Sequence, residues 1–154
     1  MIVEMNHMSF TVSDLDRSVN FYRDVLGLEL ISVAGRDPEF SARVTGITGA
    51  ELRIAYLRAP NCAVELIQYL TPPAAKIDTR TCNVGSAHVC FYVDDFDAMV
   101  ARLIGSNVHF PGTPSVVPAG PNRGRGVAYF EDPDGNTVEI ISSKPLDAVT
   151  VAAG

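Results

Sequence analysis

Two histidines and two glutamates occupy matching places in the two halves of this chain. His7 and His88 each open a ten-residue segment with the pattern H-x-x-F-x-V-x-D-[LF]-D. Glu65 and Glu139 each lie in V-E-[LI]-I, downstream of a shared frame A-Y-[LF]-x-x-P-[ND]. Four landmarks in the same order indicate an internal duplication and not a chance similarity of amphipathic segments.

These four side chains have the chemistry of a metal site. A lone strand histidine or glutamate is more often a polar rim or solvent-facing residue, so it is the joint pattern that favours ligation. Two imidazoles and two carboxylates suit one divalent ion, Ni, Co, Zn, Fe or Mn, and leave positions open for water or substrate. The third histidine, His109, has no counterpart in the repeat and is interpreted as a surface residue.

The elements around the four residues are the same in each half. Residues 7–13 alternate, so Phe10 and Val12 lie opposite His7, and a helix with a Ser or Asp cap near Ser13 and Asp14 follows and ends at Gly27. The second half repeats this with a strand at 88–93 and a helix that begins near Asp94 or Asp95 and stops at Gly105. The remaining strands are predicted at 29–33, 51–57 and 63–69, then at 107–110, 126–131 and 137–142.

Each half is therefore predicted to be a βαβββ module, at about 5–70 and 86–143, in a single domain over 1–143 with a loose tail at 144–154. One sheet face in each module covers the helix, and the other carries one histidine and one glutamate. Pairing the two sheets is expected to place all four residues around one concave surface. A carboxylate facing that surface needs hydrogen bonds or a cation.

Composition narrows the class of protein. The 154 residues fit one compact domain or two very small modules sharing a core, and 47% of them are hydrophobic. The net charge of −6 disfavours nucleic acid as a partner. Neither a signal peptide nor an apolar run long enough for a bilayer is visible, so no membrane association is expected. Three unpaired cysteines indicate reduced thiols and a cytoplasmic protein.

The motifs resemble the vicinal oxygen chelate superfamily, which includes glyoxalase I, methylmalonyl-CoA epimerase, extradiol dioxygenases and bleomycin or fosfomycin resistance proteins. The resemblance covers about residues 5–143, and its most specific segments are F-Y-R-D-V-L-G-L at 21–28 and D-P-D-G-N-T-V-E at 132–139. It also includes N-H-M-S-F-T-V at 6–12, V-E-L at 64–66 and H-V-C-F at 88–91. The resemblance implies an α+β fold in which paired βαβββ modules form a cupped mixed sheet around a metal held by His7, Glu65, His88 and Glu139.

The resemblance also implies an activity. In the isomerases of the superfamily the metal holds two neighbouring substrate oxygens and stabilises an enediolate, while a glutamate moves the proton. Glu139 matches the position of the base in glyoxalase I, with Glu65 as its catalytic partner. The expectation is a metal-dependent lyase, isomerase or epimerase, usually a homodimer, that acts on a small carbonyl or hydroxy-carbonyl substrate.

Two alternatives and one substrate question stay open. The chain could be a non-haem iron dioxygenase of the extradiol type or a non-catalytic drug-binding resistance protein, and the site could lie within one chain or across a dimer. The stretch at 64–71 lacks the L-E-L-T-x-N of glyoxalase I, which counts against a glutathione substrate. Arg123 and Arg125 are candidate substrate-binding residues for a carboxylate or phosphate, with solvated loop charges as the alternative.

Overall fold

The computed structural model describes residues 1–146, and the chain divides into two compact units, Met1–Asp78 and Thr79 onward. Each unit contains one four-stranded mixed sheet and is described by itself. The tail predicted at 144–154 lies outside the described residues from position 147. No helix within residues 1–146 combines the length and the apolar character needed to cross a membrane.

The first unit has four strands and two helices. In chain order they are β1 (His7–Thr11), α1 (Leu15–Asn20), β2 (Glu29–Gly35), α2 (Pro38–Thr45), β3 (Glu51–Arg58) and β4 (Ala63–Thr71). The strand order is β1-β4-β3-β2, with β1 parallel to β4 and the other neighbours antiparallel. A π-helical segment, Phe21–Val25, follows α1 directly. Gly27 comes shortly after it with a φ of 80°, a backbone conformation that favours glycine.

The two faces of this sheet have different roles because strand side chains alternate. Phe10, Leu57 and Leu66 are buried on one face, against the side chains of α1 such as Leu15. The capping carboxylate of Asp14, one of the two caps predicted, accepts from the Arg17 backbone N–H and starts that helix. The opposite face is left to carry the histidine and the glutamate.

Helix α2 was not predicted from the sequence. Asp37 caps it by accepting from the Phe40 N–H at 2.7 Å, Pro38 stands in its first turn, and Gly46 ends it at a φ of 71°. All three are ordinary start and stop signals. Only Ser41 of this helix is buried, so it lacks the apolar stripe on which the prediction of helices depended.

The second unit has four strands and one helix. In chain order they are β5 (His88–Val93), α3 (Phe96–Gly105), β6 (Ser115–Val116), β7 (Gly126–Glu131) and β8 (Thr137–Ser142). The strand order is β5-β8-β7-β6, with β5 parallel to β8. Phe96 and Leu103 of the helix are buried, as are Phe130 and Ile140 of the sheet.

The strand predicted at 107–110 is wrong. Asn107 has a φ of 56°, in the left-handed region that an extended strand excludes, and the strand that pairs with β7 is Ser115–Val116. The alternation of polar and apolar residues at 107–110 mimics a strand. A backbone hydrogen bond from the Glu131 N–H to the His109 carbonyl, at 3.0 Å, joins this segment to β7 without making it a strand.

Candidate metal centre

In the first unit, the parallel pairing of β1 and β4 brings His7 to Glu65. Ser9 is the register partner of Glu65, so His7 lies on the same face two residues away. Its Nε2 is 3.3 Å from Oε2 of the glutamate. The Glu65 side chain is 8% exposed and the His7 side chain 35%, so the carboxylate is buried while the imidazole is partly open to solvent.

A tyrosine completes this group from the neighbouring strand. Tyr56 pairs in register with Glu65, and its hydroxyl donates a hydrogen bond to Oε1 of that carboxylate. The Tyr56 ring also meets the His7 ring edge-on, with centroids 5.9 Å apart. The hydrogen bond to Glu65 raises the pKa of Tyr56, and burial adds to that effect.

The second unit repeats the arrangement. His88 Nε2 is 3.1 Å from Glu139 Oε2, and the side chains are 37% and 11% exposed. Tyr129 pairs in register with Glu139, and its ring meets the His88 ring edge-on at 5.3 Å. Each unit thus presents a histidine, a buried glutamate and a tyrosine at equivalent positions.

The surroundings of Glu139 contain one group that the first unit lacks. Cys90 is its register partner on β5, where the first unit has Ser9. Burial, followed by the nearby Glu139 carboxylate, raises the pKa of the Cys90 thiol to about 12. The pKa of Tyr129 is also raised, first by burial and then by Glu139. Cys90 and Tyr129 are therefore neutral donors beside Glu139.

Sequence reasoning missed the tyrosines and Cys90 as members of the site. The signal for the tyrosines was present, because Tyr56 and Tyr129 recur in the A-Y-[LF] frame of the repeat. Cys90 does not recur, so nothing in the repeat distinguished it.

The donor set fits a divalent cation. A buried carboxylate needs a hydrogen bond or a cation, and an imidazole beside it supplies a second metal-binding atom. Residues 1–146 contain no group of three or more His, Cys, Asp or Glu side chains arranged to hold a metal ion. Within each unit the candidate ligands come as one pair, and the four-residue centre stays a prediction.

The other residues singled out from the sequence have local partners. Arg125 donates from Nη1 to the Ser142 and Ser143 carbonyls, at 2.9 and 2.7 Å, and its guanidinium packs over the Tyr92 ring. The Arg123 backbone N–H donates to the Gly120 carbonyl in the same turn region.

His109 behaves as the sequence suggested. Its side chain is 68% exposed and pairs with Glu131 at 3.0 Å, which is a surface contact.

Comparison with known proteins settles the family. The model of the Glyoxalase/Bleomycin resistance protein/Dioxygenase superfamily matches residues 4–140. The chain belongs to this superfamily. A solved structure of a glyoxalase family protein from Bacillus cereus has a TM-score of 0.77 at 28% identity, over 92% of this chain and 95% of that one. The predicted α+β fold of this superfamily is thereby confirmed, and the structure has it as two four-stranded mixed sheets.

Two curated relatives are enzymes of different reaction types. The chain is 32% identical over 145 residues to a 2-epi-5-epi-valiolone epimerase from Actinomyces sp, covering 91% of this chain and 79% of the relative. It is 30% identical over 152 residues to the lactoylglutathione lyase of Haemophilus influenzae, covering 92% and 94%. The relatives of this superfamily member therefore include an epimerase and a lyase.

Proposed function

We propose that the protein is a divalent-metal-dependent isomerase, lyase or epimerase that acts on a small carbonyl or hydroxy-carbonyl substrate. The observation that carries this proposal is the equivalent burial of one carboxylate against one imidazole in each unit. Packing alone does not call for two such pairs, because burying a carboxylate is costly in any fold. The names of the two relatives, an epimerase and a lyase, support the same reaction class.

We propose that His7, Glu65, His88 and Glu139 together hold one ion, with Ni, Co, Zn, Fe and Mn as candidates. A bound divalent cation supplies a Lewis acid for the negative charge that develops on a substrate carbonyl oxygen. The residues of the chain then have two tasks. The histidines and Glu65 would hold the ion and so fix the position of its positive charge. Glu139 takes a proton from the carbon next to the carbonyl.

Glu139 is the proposed base because it matches the position of the base in glyoxalase I, and its carboxylate is buried beside His88. Tyr129 and Cys90 surround it with donors that carry no charge at neutral pH. Glu65 is its catalytic partner, for example on the opposite face of the substrate.

Three further proposals concern the substrate, the assembly and the cellular location of the protein. Arg123 and Arg125 are proposed to attract an anionic group of the substrate, since guanidinium groups bind carboxylates and phosphates well. We propose a homodimer, because edge strand β2 exposes Ile31 and Val33, and exposed apolar patches mark interaction surfaces. A reducing cytoplasmic location suits the three free thiols. Light scattering tests the dimer, which has twice the mass of one chain.

The reaction is tested by metal analysis and by proton exchange in D2O. Untagged protein should contain stoichiometric divalent metal. It should also exchange a C–H proton next to the carbonyl in 2-epi-5-epi-valiolone or lactoylglutathione, and chelation should stop this exchange. Glu139→Gln should lower the exchange rate by about 10²–10⁴-fold, the usual contribution of a positioned base.

A matched control is Glu29→Gln, a strand glutamate in an exposed ion pair with Arg58, which should leave the exchange rate unchanged. Absence of stoichiometric metal, with no response to added ions, contradicts the proposal. Oxygen uptake with catechols would favour a dioxygenase. Drug binding that survives both His7→Ala and Glu139→Ala would favour a non-catalytic binding protein.

A further inference from the structure

One end of the sheet in the second unit carries an arginine stacked on a tyrosine. The Arg125 guanidinium carbon lies 5.3 Å from the centre of the Tyr92 ring. Its Nη1 donates to the Ser142 and Ser143 carbonyls, at 2.9 and 2.7 Å. A ring face and two backbone carbonyls therefore fix this guanidinium at the end of the sheet where β5 and β8 finish.

The Tyr92 ring lies on the same sheet face as the histidine–glutamate pair. Side chains alternate along a strand, so Tyr92 shares the face of His88 and Cys90 on β5. Cys90 is in turn the register partner of Glu139. At a rise of about 3.3 Å per residue, Tyr92 lies one side-chain row, about 7 Å, beyond the row of Glu139. A small molecule that contacts Glu139 can therefore also reach the guanidinium of Arg125.

The hydrogen bonds of Arg125 leave one edge of its guanidinium for a ligand. Both backbone carbonyls are bound by Nη1, and within residues 1–146 no carboxylate pairs with this arginine. The remaining nitrogens, Nε and Nη2, form a fork that can bind a carboxylate or phosphate through two parallel hydrogen bonds. Arg125 is half-buried, so such bonds are less weakened by water than those of a fully exposed arginine.

The stacked pair does not recur in the first unit. The residue four places before the site tyrosine is Arg125 in the second unit and Leu52 in the first. The residue four places after the site histidine is Tyr92 in the second unit and Thr11 in the first. The pair therefore lies outside the duplicated frame, as expected of a feature that recognises one end of an asymmetric substrate.

We propose that Arg125, stacked on Tyr92, binds an anionic group of the substrate one side-chain row away from Glu139. The substrate is then a small carbonyl compound with a carboxylate or phosphate at the end remote from the reacting carbon. This inference rests on the proposed function and narrows it. It assigns the anion to Arg125 in preference to Arg123, and it adds Tyr92 as a specificity-determining residue.

The first test compares two pairs of ligands that share a carbonyl and differ in an anionic group. Dihydroxyacetone phosphate is compared with dihydroxyacetone, and levulinate with methyl levulinate, with dissociation constants measured by NMR titration of the ligand signals. The anionic member of at least one pair should bind about 10- to 100-fold more tightly, the usual contribution of hydrogen bonds to a charged group. The pair that shows the preference identifies the anion as phosphate or carboxylate. Equal affinities within both pairs overturn the inference.

Substitutions test whether the stacked pair causes this preference. Arg125→Gln should remove most of it, because glutamine carries no charge, and Tyr92→Leu should lower it by about 2- to 5-fold, the contribution of a partly exposed cation–π contact. Tyr92→Phe keeps the ring and should keep the preference. Arg43→Gln is the matched control, since Arg43 is stacked on the Phe40 ring at 5.7 Å in the first unit, and it should leave the preference unchanged.

The ratio of two affinities does not change when a substitution only lowers the folded fraction, so a structural role alone does not reproduce these results. A preference that survives Arg125→Gln overturns the inference. If Arg125→Gln does not fold, the two Tyr92 variants decide, and equal preferences in Tyr92→Leu and Tyr92→Phe overturn it.

Chelation of the metal separates this inference from the proposed function. A metal ion can also bind a phosphate or carboxylate, whereas Arg125 keeps its charge without the ion. The preference should therefore persist after chelation, although both members of a pair bind more weakly. A preference that disappears on chelation assigns the anion to the ion and overturns the inference. A protein with neither stoichiometric metal nor proton exchange that keeps an Arg125-dependent preference overturns the proposed function alone.

Discussion

At the scale of single residues, this chain buries carboxylates in two different ways. Asp132 is 5% exposed in the turn before β8 and accepts from the Asp134 and Asn136 backbone N–H groups and from the Asn136 side chain. Glu65 is buried to the same degree but has an imidazole and a tyrosine as neighbours. The first arrangement satisfies the carboxylate within a turn. The second leaves an open imidazole beside it, which is the arrangement suited to a metal.

Asp132 predicts a pH dependence of folding stability. Burial raises its pKa above the ordinary 3.8, despite the hydrogen bonds from Asn136 and Asp134 that act the other way. A raised acid pKa in the folded protein means that the folded state binds the proton more tightly. The resulting stability is fully present below the ordinary pKa and is lost as the pH rises through the folded value.

Asp132→Asn should remove this dependence, because an amide does not titrate and keeps one oxygen to accept from the Asp134 and Asn136 backbone N–H groups. The difference in unfolding free energy between parent and variant should fall from about pH 3.8 to the folded pKa and be constant above it. Urea unfolding of metal-free protein measures it. Asp94→Asn, at an exposed aspartate that also accepts a backbone N–H, is the control and should not reproduce the slope. If the unfolding free energies of the parent and of Asp132→Asn changed in parallel with pH, Asp132 would not be the source of the pH dependence.

At the scale of elements, one close approach fixes helix α3 against strand β7. A Cβ atom on Gly126 would lie 2.6 Å from Phe96 Cδ1, well inside contact distance, and the Phe96 side chain is buried. Gly126→Ala should therefore lower the unfolding free energy by about 1–3 kcal/mol, the usual effect of overpacking. Thermal and urea unfolding measure this loss.

A second glycine in the same unit provides the control. Gly105 ends α3, and nothing lies within 4 Å of a Cβ atom placed there. Gly105→Ala should be neutral or raise stability by about 0.4–1 kcal/mol, because it restricts the unfolded chain without a clash. Equal effects of the two substitutions would mean that Phe96 moves aside at little cost.

The elements show where sequence patterns are sufficient. The strands predicted at 126–131 and 137–142 agree with β7 and β8, because alternation and tight turns fix them locally. The segment at 107–110 also alternates, yet a left-handed Asn107 prevents a strand, and β6 is defined by its partner in space. Helix α2 has good terminal signals but no apolar stripe, so periodicity could not reveal it.

The site residues also divide into those that a sequence pattern reveals and those that depend on pairing between strands. His7 and Glu65 could be predicted because they recur in His88 and Glu139, and recurrence is visible in one sequence. Cys90 does not recur, and Glu139, its register partner, lies 49 residues further along the chain. Its place in the site depends on the register of β5 against β8. Register follows from long-range pairing, which the sequence pattern of a single strand does not specify.

At the scale of the whole molecule, the duplication gives each unit half of the proposed ligand set. Two protein ligands seldom hold a divalent ion tightly, whereas catalytic sites commonly have three or four. If the two pairs act together, one ion binds per chain, and losing either pair abolishes binding. His7→Ala with Glu65→Ala, and His88→Ala with Glu139→Ala, should each reduce the metal content from one per chain to none.

Metal analysis and thermal unfolding with and without added metal distinguish the possible outcomes. A ligand that binds only the folded state stabilises it by about 2.7 kcal/mol at a concentration of 100 times its Kd. We expect both double variants to lose this stabilisation completely, although each keeps one intact pair. If each pair instead binds its own ion, the parent protein holds two per chain, and each variant keeps one ion and part of the stabilisation. That result would contradict the four-residue centre and indicate two independent sites, one in each unit.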